Sequence, residues 1–161
     1  MSDSSIIVVD TNVWLDYLFG GRVGNTAASA FIAATQKAGA SLVISPHSLC
    51  DVFFLTRQEL KRANKLDGKQ TPEEAATSAR VAAWAAIDLI MELATVGPSD
   101  QMDAIVAAKN RSIHGDYEDN LVVACATRTK ARWLVTNDRQ LIQHCTVAAL
   151  TPEDACRFLE D

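Results

Sequence analysis

Ile6-Ile7-Val8-Val9-Asp10-Thr11-Asn12 is the stretch on which the reading of this chain turns. Four apolar residues in a row, with no polar alternation, read as a strand buried on both faces, as central strands of a parallel sheet are. Asp10 then ends the strand. In open parallel sheets ligands bind beyond the carboxyl ends of the strands, where strand order reverses. Asp10 is therefore expected to face a ligand crevice.

Working outward, Leu42 to Ile44 and Trp133 to Val135 repeat the buried-strand pattern. Thr146 to Leu150 reads as an edge strand and Thr95 to Val96 as another, very short one. Helical segments lie between them. Thr26 to Lys37 is Ala-rich with a 3.6-residue period and stops before Gly39. Ser45-Pro46 offers a cap followed by a first-turn proline, for a helix running to about Asn64. Thr71-Pro72-Glu73-Glu74 is a capping box before a helix reaching about Leu93, and Thr151-Pro152-Glu153-Asp154 opens the C-terminal helix similarly. Leu66 to Gln70 is the clearest exposed loop. Strands alternating with helices predict an α/β protein with a mainly parallel sheet of four or five strands.

With 161 residues, 48% of them hydrophobic, and no internal repeat or low-complexity tail, residues 1–161 are expected to form one domain. Apolar runs are broken well before the roughly 18 residues of a membrane span, and Met1 to Ser5 is too polar for a signal peptide, so a cytoplasmic protein is expected. Cys50, Cys125, Cys145 and Cys156 show no C-x-x-C pair or zinc spacing and read as small buried hydrophobes. Cys145 follows His144, but helix neighbours in sequence do not face each other, which argues against a thiolate–imidazole pair. A net charge of −5 excludes a protein that coats nucleic acid by charge alone. It does not exclude an enzyme whose acidity is gathered into a metal site.

Asp138, in Val135-Thr136-Asn137-Asp138, ends another strand on the same edge of the sheet as Asp10. Asp51 lies about a turn and a half into the helix after the second strand, and helical side chains lean toward the N-terminus. Asp116 and Asp119, three apart, share one face of a helix start. Taken singly, Asp10 and Asp138 fit turns equally well, Asp116 fits an N-cap, and Asp119 fits a dipole-favoured first turn. Asp51, among Leu49, Cys50, Val52, Phe53, Phe54 and Leu55, has no comparable structural use. Carboxylates gathered together need a cation or protonation, and oxygen donors without His or Cys suit magnesium or manganese.

At this point the residues resemble a known family. Val8-Val9-Asp10-Thr11-Asn12-Val13-Trp14-Leu15-Asp16 is similar to the opening motif of the PIN domain, and in particular of the VapC-type toxins. Asp16-Tyr17-Leu18 begins the region that varies. Asp116-Tyr117-Glu118-Asp119 resembles the family's D-[FY]-E-D motif, and Val135-Thr136-Asn137-Asp138 its T-x-D motif. The resemblance covers nearly the whole chain. It departs at Asp51, where the family usually carries Glu.

The resemblance implies a three-layer α/β/α, Rossmann-like fold and a metal-dependent endoribonuclease. Asp10, Asp119 and Asp138 would hold one or two Mg2+ or Mn2+ ions, with Asp51 completing the cluster and Asp116 accessory. The ions would activate water for in-line attack on an RNA phosphodiester. Thr11 and Asn12 would orient Asp10, and Thr136 with Asn137 would support the loop of Asp138. A homodimer and a cognate antitoxin are also implied, although toxin and housekeeping nuclease both fit the sequence.

Arg57, Lys61 and Lys65 share a helical face at i, i+4 spacing and read either as RNA contacts or as a solvated face. Arg139 is a separate phosphate-contact candidate. Trp14 and Phe19 suit base stacking or core packing. Haloacid-dehalogenase phosphatases need an Asp at the position of Asn12, and response-regulator receivers need paired acids at the first strand end. The alternative that stays open is a non-catalytic PIN-like RNA- or protein-binding module.

Overall fold

β-branched and apolar runs too short for helices supply the sheet, in this computed structural model, which describes residues 5–160. The polar start of the chain lies, apart from Ser5, outside those residues. β1 (Ile6–Val9), β2 (Ser41–Ile44), β3 (Ala94–Val96), β4 (Trp133–Val135) and β5 (Ala149–Leu150) form one sheet in the order β3-β2-β1-β4-β5. All four pairings are parallel, with Ile7 opposite both Leu42 and Trp133. Strand order reverses at β1, because β2 follows on one side and β4 on the other. The crevice of this sheet therefore opens over the ends of β1 and β4.

Both faces are covered. Ile7 and Val9 pack with Trp14, Phe31, Val52 and Ile90 on one side, which is closed by α1 (Thr11–Leu18), α2 (Asn25–Ala38), α3 (Pro46–Asp67), α4 (Pro72–Leu93) and α8 (Pro152–Glu160). Val8 and Leu134 pack with Val123 and Leu141 on the other, under α6 (Tyr117–Arg128) and α7 (Arg139–His144), with α5 (Gln101–Lys109) packed on α6. The result is the three-layer α/β/α arrangement that the buried strands require. Fully buried side chains such as Ile7, Phe31 and Leu134 contribute about 1.5–3 kcal/mol each relative to exposure.

The expected caps are present. Ser45 Oγ accepts from Ser48 N at 3.1 Å, and Thr71 with Glu74 closes a reciprocal capping box before α4. Thr151 Oγ1 accepts from Asp154 N at the start of α8. Several details differ from the sequence reading. α3 continues past Asn64 to Asp67 and ends at Gly68, whose φ of 67° is left-handed and favours glycine, so the expected loop starts later. The edge strand expected from Thr146 shrinks to Ala149–Leu150. α1, α5 and α7 had no expected counterpart; each is short and capped by an Asp. Trp14 is wholly buried and Phe19 partly so, which assigns Trp14 to the core. Of the four cysteines expected to be buried only Cys125 is; Cys145 and Cys156 are half-buried, and Cys50 is exposed on the outer face of α3. No helix among the described residues is long and apolar enough to cross a membrane.

Candidate active site

Asp10 is both the end of β1 and the N-cap of α1, and it is 3% exposed. Its Oδ1 accepts from Thr11 N at 2.7 Å, and its Oδ2 accepts from Thr136 Oγ1 and Asn12 Nδ2, each at 2.6 Å. Thr136 Oγ1 in turn accepts from Asp138 N at 3.0 Å, and Asn12 Oδ1 from Asn137 N at 3.0 Å. Thr11, Asn12, Thr136 and Asn137 thus form one lattice of neutral donors and acceptors tying the end of β1 to that of β4. Burial pushes the Asp10 carboxyl above its usual range, and Asp138 adds to the shift, against the opposing hydrogen bonds from Thr136, Thr11 and Asn12.

Asp138 caps α7, its Oδ1 accepting from Gln140 N and Leu141 N at 2.7 and 2.9 Å. Its other oxygen faces His114. Asp116 caps α6 through an Oδ1 that accepts from Glu118 N at 2.9 Å, so it fills the structural role open to it while lining the crevice. Asp119, in the first turn of α6, is pushed up to about 6 by burial and by the charges of Asp10, Asp116 and Asp138, with His114 opposing. His114 Nδ1 lies 2.9 Å from Asp119 Oδ2, and Nε2 lies 3.4 Å from Asp138 Oδ2.

Asp51 reaches the same crevice from α3, but its close company differs. Burial and the adjacent Glu118 push it up to about 6; Asp116 adds to the shift and His47 opposes it. The crevice, about 400 Å³ in volume, joins Asp10, Asp51, Asp116, Glu118 and Asp119 between apolar walls that include Leu15, Leu55 and Val122. Among the described residues, His114 is the only basic group within ion-pair distance of Asp10, Asp51, Asp119 or Asp138. Crowded carboxylates with raised affinity for protons and no Lys or Arg partner are a donor set suited to a hard divalent cation. Among the described residues, no group of three or more His, Cys, Asp or Glu side chains is already arranged to hold a metal ion. The oxygens share a crevice without being drawn into a closed cage.

Three polar residues of this region were given no role in the sequence reading. His114 and Glu118 flank the cap of α6, and their nearness to Asp116 and Asp119 in sequence was the available signal. Asp16 was read only as the start of a variable region, yet it is 7% exposed. Its Oδ2 accepts from Asn137 Nδ2 at 2.8 Å, and its Oδ1 pairs with Arg22 Nε at 2.6 Å. Arg22 also reaches Glu59 at 3.5 Å. The signal here was helical spacing: Asn12 and Asp16 stand four apart on α1 and both meet Asn137. Gly24 packs directly against the Asp16 carboxylate, where a Cβ would clash.

The basic candidates divide differently. The Arg57 guanidinium lies 5.7 Å over the Phe53 ring, and Lys61 with Lys65 lines a groove shared with Pro72 and Ala75 of α4. None of the three lines the acidic crevice. A recess that does adjoin it, through Leu15 and Leu55, carries Arg22 and Arg62 instead. Arg139 is exposed beside Asp138.

Residues 6–140 match the sequence profile of the PIN domain. The chain belongs to the PIN-domain family. Its fold is similar to that of a chain in VapBC2 from Rickettsia felis bound to a DNA fragment from their promoter, with a TM-score of 0.57 and 14% identity over 91% of this chain and 98% of that one. VapBC-1 from nontypeable Haemophilus influenzae gives a TM-score of 0.56 and 16% identity over the same shares. At such identities the likeness speaks to the PIN fold. No curated protein matches the sequence significantly.

Proposed function

We propose that this PIN-domain protein is a metal-dependent endoribonuclease that hydrolyses RNA phosphodiester bonds, acting in the cytoplasm as the toxin of a toxin–antitoxin pair. Residues 1–161 act as one PIN-like domain in this reading. The observation that carries it is the meeting of Asp10, Asp51 and Asp119 in one crevice, bordered by Asp138, with no Lys or Arg among the described residues ion-paired to any of them. Asp10, Asp119 and Asp138 would hold one or two Mg2+ or Mn2+ ions, with Asp51 completing the cluster from the Glu118 side. When bound there, a divalent cation would supply water activation and offset charge on the leaving oxygen.

The chain's own residues do the rest. Thr136 and Asn12 hold Asp10 Oδ2 in place and favour its ionised form against burial, and Asn137 ties that lattice to Asp16. Leu15, Leu55 and Val122 limit water around the carboxylates, which strengthens electrostatic interactions there. Arg139 at the rim is placed to meet an RNA phosphate, and Arg62 in the adjoining recess joins it. The likeness to chains of VapBC complexes supports an antitoxin partner; a homodimer of this chain belongs to the same reading.

The test follows cleavage of end-labelled single-stranded and structured RNAs by partner-free protein, with magnesium, manganese or chelator, beside Asp119→Asn. Metal-dependent cutting that falls more than roughly 100-fold in the variant is expected, since a direct ligand should matter at least as much as its outer partners. No cutting, together with no stabilisation by manganese, would favour a non-catalytic module that binds RNA or protein. Asp51, with Glu118 rather than Asp119 as its close acidic neighbour, is the feature that favours that second reading.

A further inference from the structure

Carboxylates crowd the acidic crevice and no Lys or Arg among the described residues lines it, so a nucleic-acid strand entering it needs cations from the space alongside. That space is the recess, about 440 Å³ in volume, which shares Leu15 and Leu55 with the crevice and is lined further by Arg22, Gln58, Glu59 and Arg62. Asp51, Leu55 and Glu59 stand four apart on one face of α3, so a path of about 12 Å leads from the crevice into the recess. Of the two recess arginines, Arg62 is exposed on α3, whereas Arg22 is held in place.

Arg22 sits in the turn between α1 and α2, where its amide donates to Phe19 O at 3.0 Å and its carbonyl accepts from Asn25 N at 3.1 Å. Its Nε donates to Asp16 Oδ1 at 2.6 Å, and Asp16 is buried. Gly24 admits that carboxylate, since a Cβ at this position would collide with Asp16 Oδ2. The same Oδ2 accepts from Asn137 Nδ2 at 2.8 Å; Asn137 N donates to Asn12, and Asn12 holds Asp10. One buried carboxylate thus fixes the guanidinium relative to the acids of the crevice. A guanidinium set in place before binding loses less freedom when it binds.

Asp16 is met through Nε alone, which leaves both terminal nitrogens of Arg22. Nη1 reaches Glu59 only at 3.5 Å, between side chains 33% and 42% exposed, and Nη2 has no hydrogen bond to any described residue. The remaining N–H groups of the fork suit the oxygens of a phosphate. Glu59 is the group such a phosphate would displace, since long, part-exposed ion pairs are weak.

Building on the RNA-cleaving reading above, we propose that Arg22 is a phosphate-binding residue: it docks a backbone phosphate of the RNA that flanks the one in the crevice, taking it in exchange for Glu59. Asp16 is the residue that positions it.

Fluorescence anisotropy of a fluorescein-labelled oligouridylate, in chelator so that the RNA stays whole, tests this across a series of salt concentrations. Arg22→Gln should lower the slope of log affinity against log salt by about 0.7, the share of one phosphate contact on a single strand, and so weaken binding about fivefold in about 0.1 M salt. Glu59→Gln should tighten binding about twofold, and that gain should vanish when Arg22→Gln is added. The Glu59→Gln arm alters a part-exposed side chain and reads the exchange even if Arg22→Gln fails to fold. A slope unchanged by Arg22→Gln would confine Arg22 to neutralising Asp16 and overturn the proposal, whether or not the protein cuts RNA. No gain from Glu59→Gln, or a gain that persists without Arg22, would overturn it too, as would wild-type protein that binds no RNA. Arg22-dependent binding without metal-dependent cutting would uphold this site while sinking the nuclease reading, so the two fail separately.

Discussion

Two buried aspartates of this molecule show what distinguishes a structural acid from a reactive one. Asp103, 6% exposed in α5, accepts from Asp100 N at 2.7 Å and pairs with Arg128 at 2.5 Å. Arg128 also holds Asp100, at 2.8 Å, and keeps that carboxyl below its usual range. Asp10, 3% exposed, has neutral donors and, among the described residues, no Lys or Arg partner, and it faces further carboxylates. Each is well hydrogen-bonded. Of the two, only the α5 site has a guanidinium of its own, so the crevice is the one whose carboxylates meet no Lys or Arg among the described residues.

If that contrast is right, the two sites respond to mutation in opposite ways. The largest effect is expected from Thr136→Val, which keeps shape while removing the hydroxyl that orients Asp10. Manganese affinity, read by calorimetry, should fall about 10–100-fold. Next, Asp103→Ala should cost about 2 kcal/mol in denaturant unfolding, because a cap and a paired carboxylate are lost together. RNA cleavage at a temperature where the variant is folded should be unchanged. Loss of cleavage there would erase the distinction between the sites.

A smaller effect concerns pH. Asp51 and Asp119, both about 6, and the raised Asp10 hold protons more tightly folded than unfolded. Their contribution is full below the ordinary carboxylate pKa and is lost as pH rises through about 6. In chelator the unfolding free energy should therefore fall between about pH 4 and 7, by on the order of 1 kcal/mol after solvent screening, and the melting temperature should fall with it. Asp100 and Glu74, held low by Arg128 and by the Thr71 amide, act in the opposite sense only below about pH 4. Asp119→Asn should raise the melting temperature in chelator near pH 7.5 and flatten the fall, and manganese should flatten it in wild type. A variant less stable than wild type there would place Asp119 with Asp103 as a structural acid. The smallest effect is expected from Lys61→Ala with Lys65→Ala, which should change RNA binding less than about twofold, since both face α4.

What the sequence alone determined follows from short-range physics. Runs such as Ile6–Val9 and Trp133–Val135 are apolar on both faces and must be covered on both, so parallel strands between helices were legible. So were Ser45, Thr71 and Thr151 as helix caps, because a cap satisfies amides within three residues. The nearness of Asp10 to Asp138 was legible because both end buried strands at one sheet edge. The helix α5 escaped because Asp100 and Asp103 cap it with little apolar periodicity to announce it.

Only tertiary structure decided the partners of charge. Arg22 was free to meet any acid until α1, α2 and α3 packed Asp16 and Glu59 against it. Lys61 and Lys65, still exposed, were set by the packing of α4 on a groove shared with Pro72 and Ala75 and away from the acidic crevice. Likewise nothing local to His114 foretells that Asp138, on another element, will stand at its Nε2. Electrostatic pairing depends on distances of a few ångströms between residues remote in sequence. Such distances exist only once the sheet has set its strand order and the helices have closed over it.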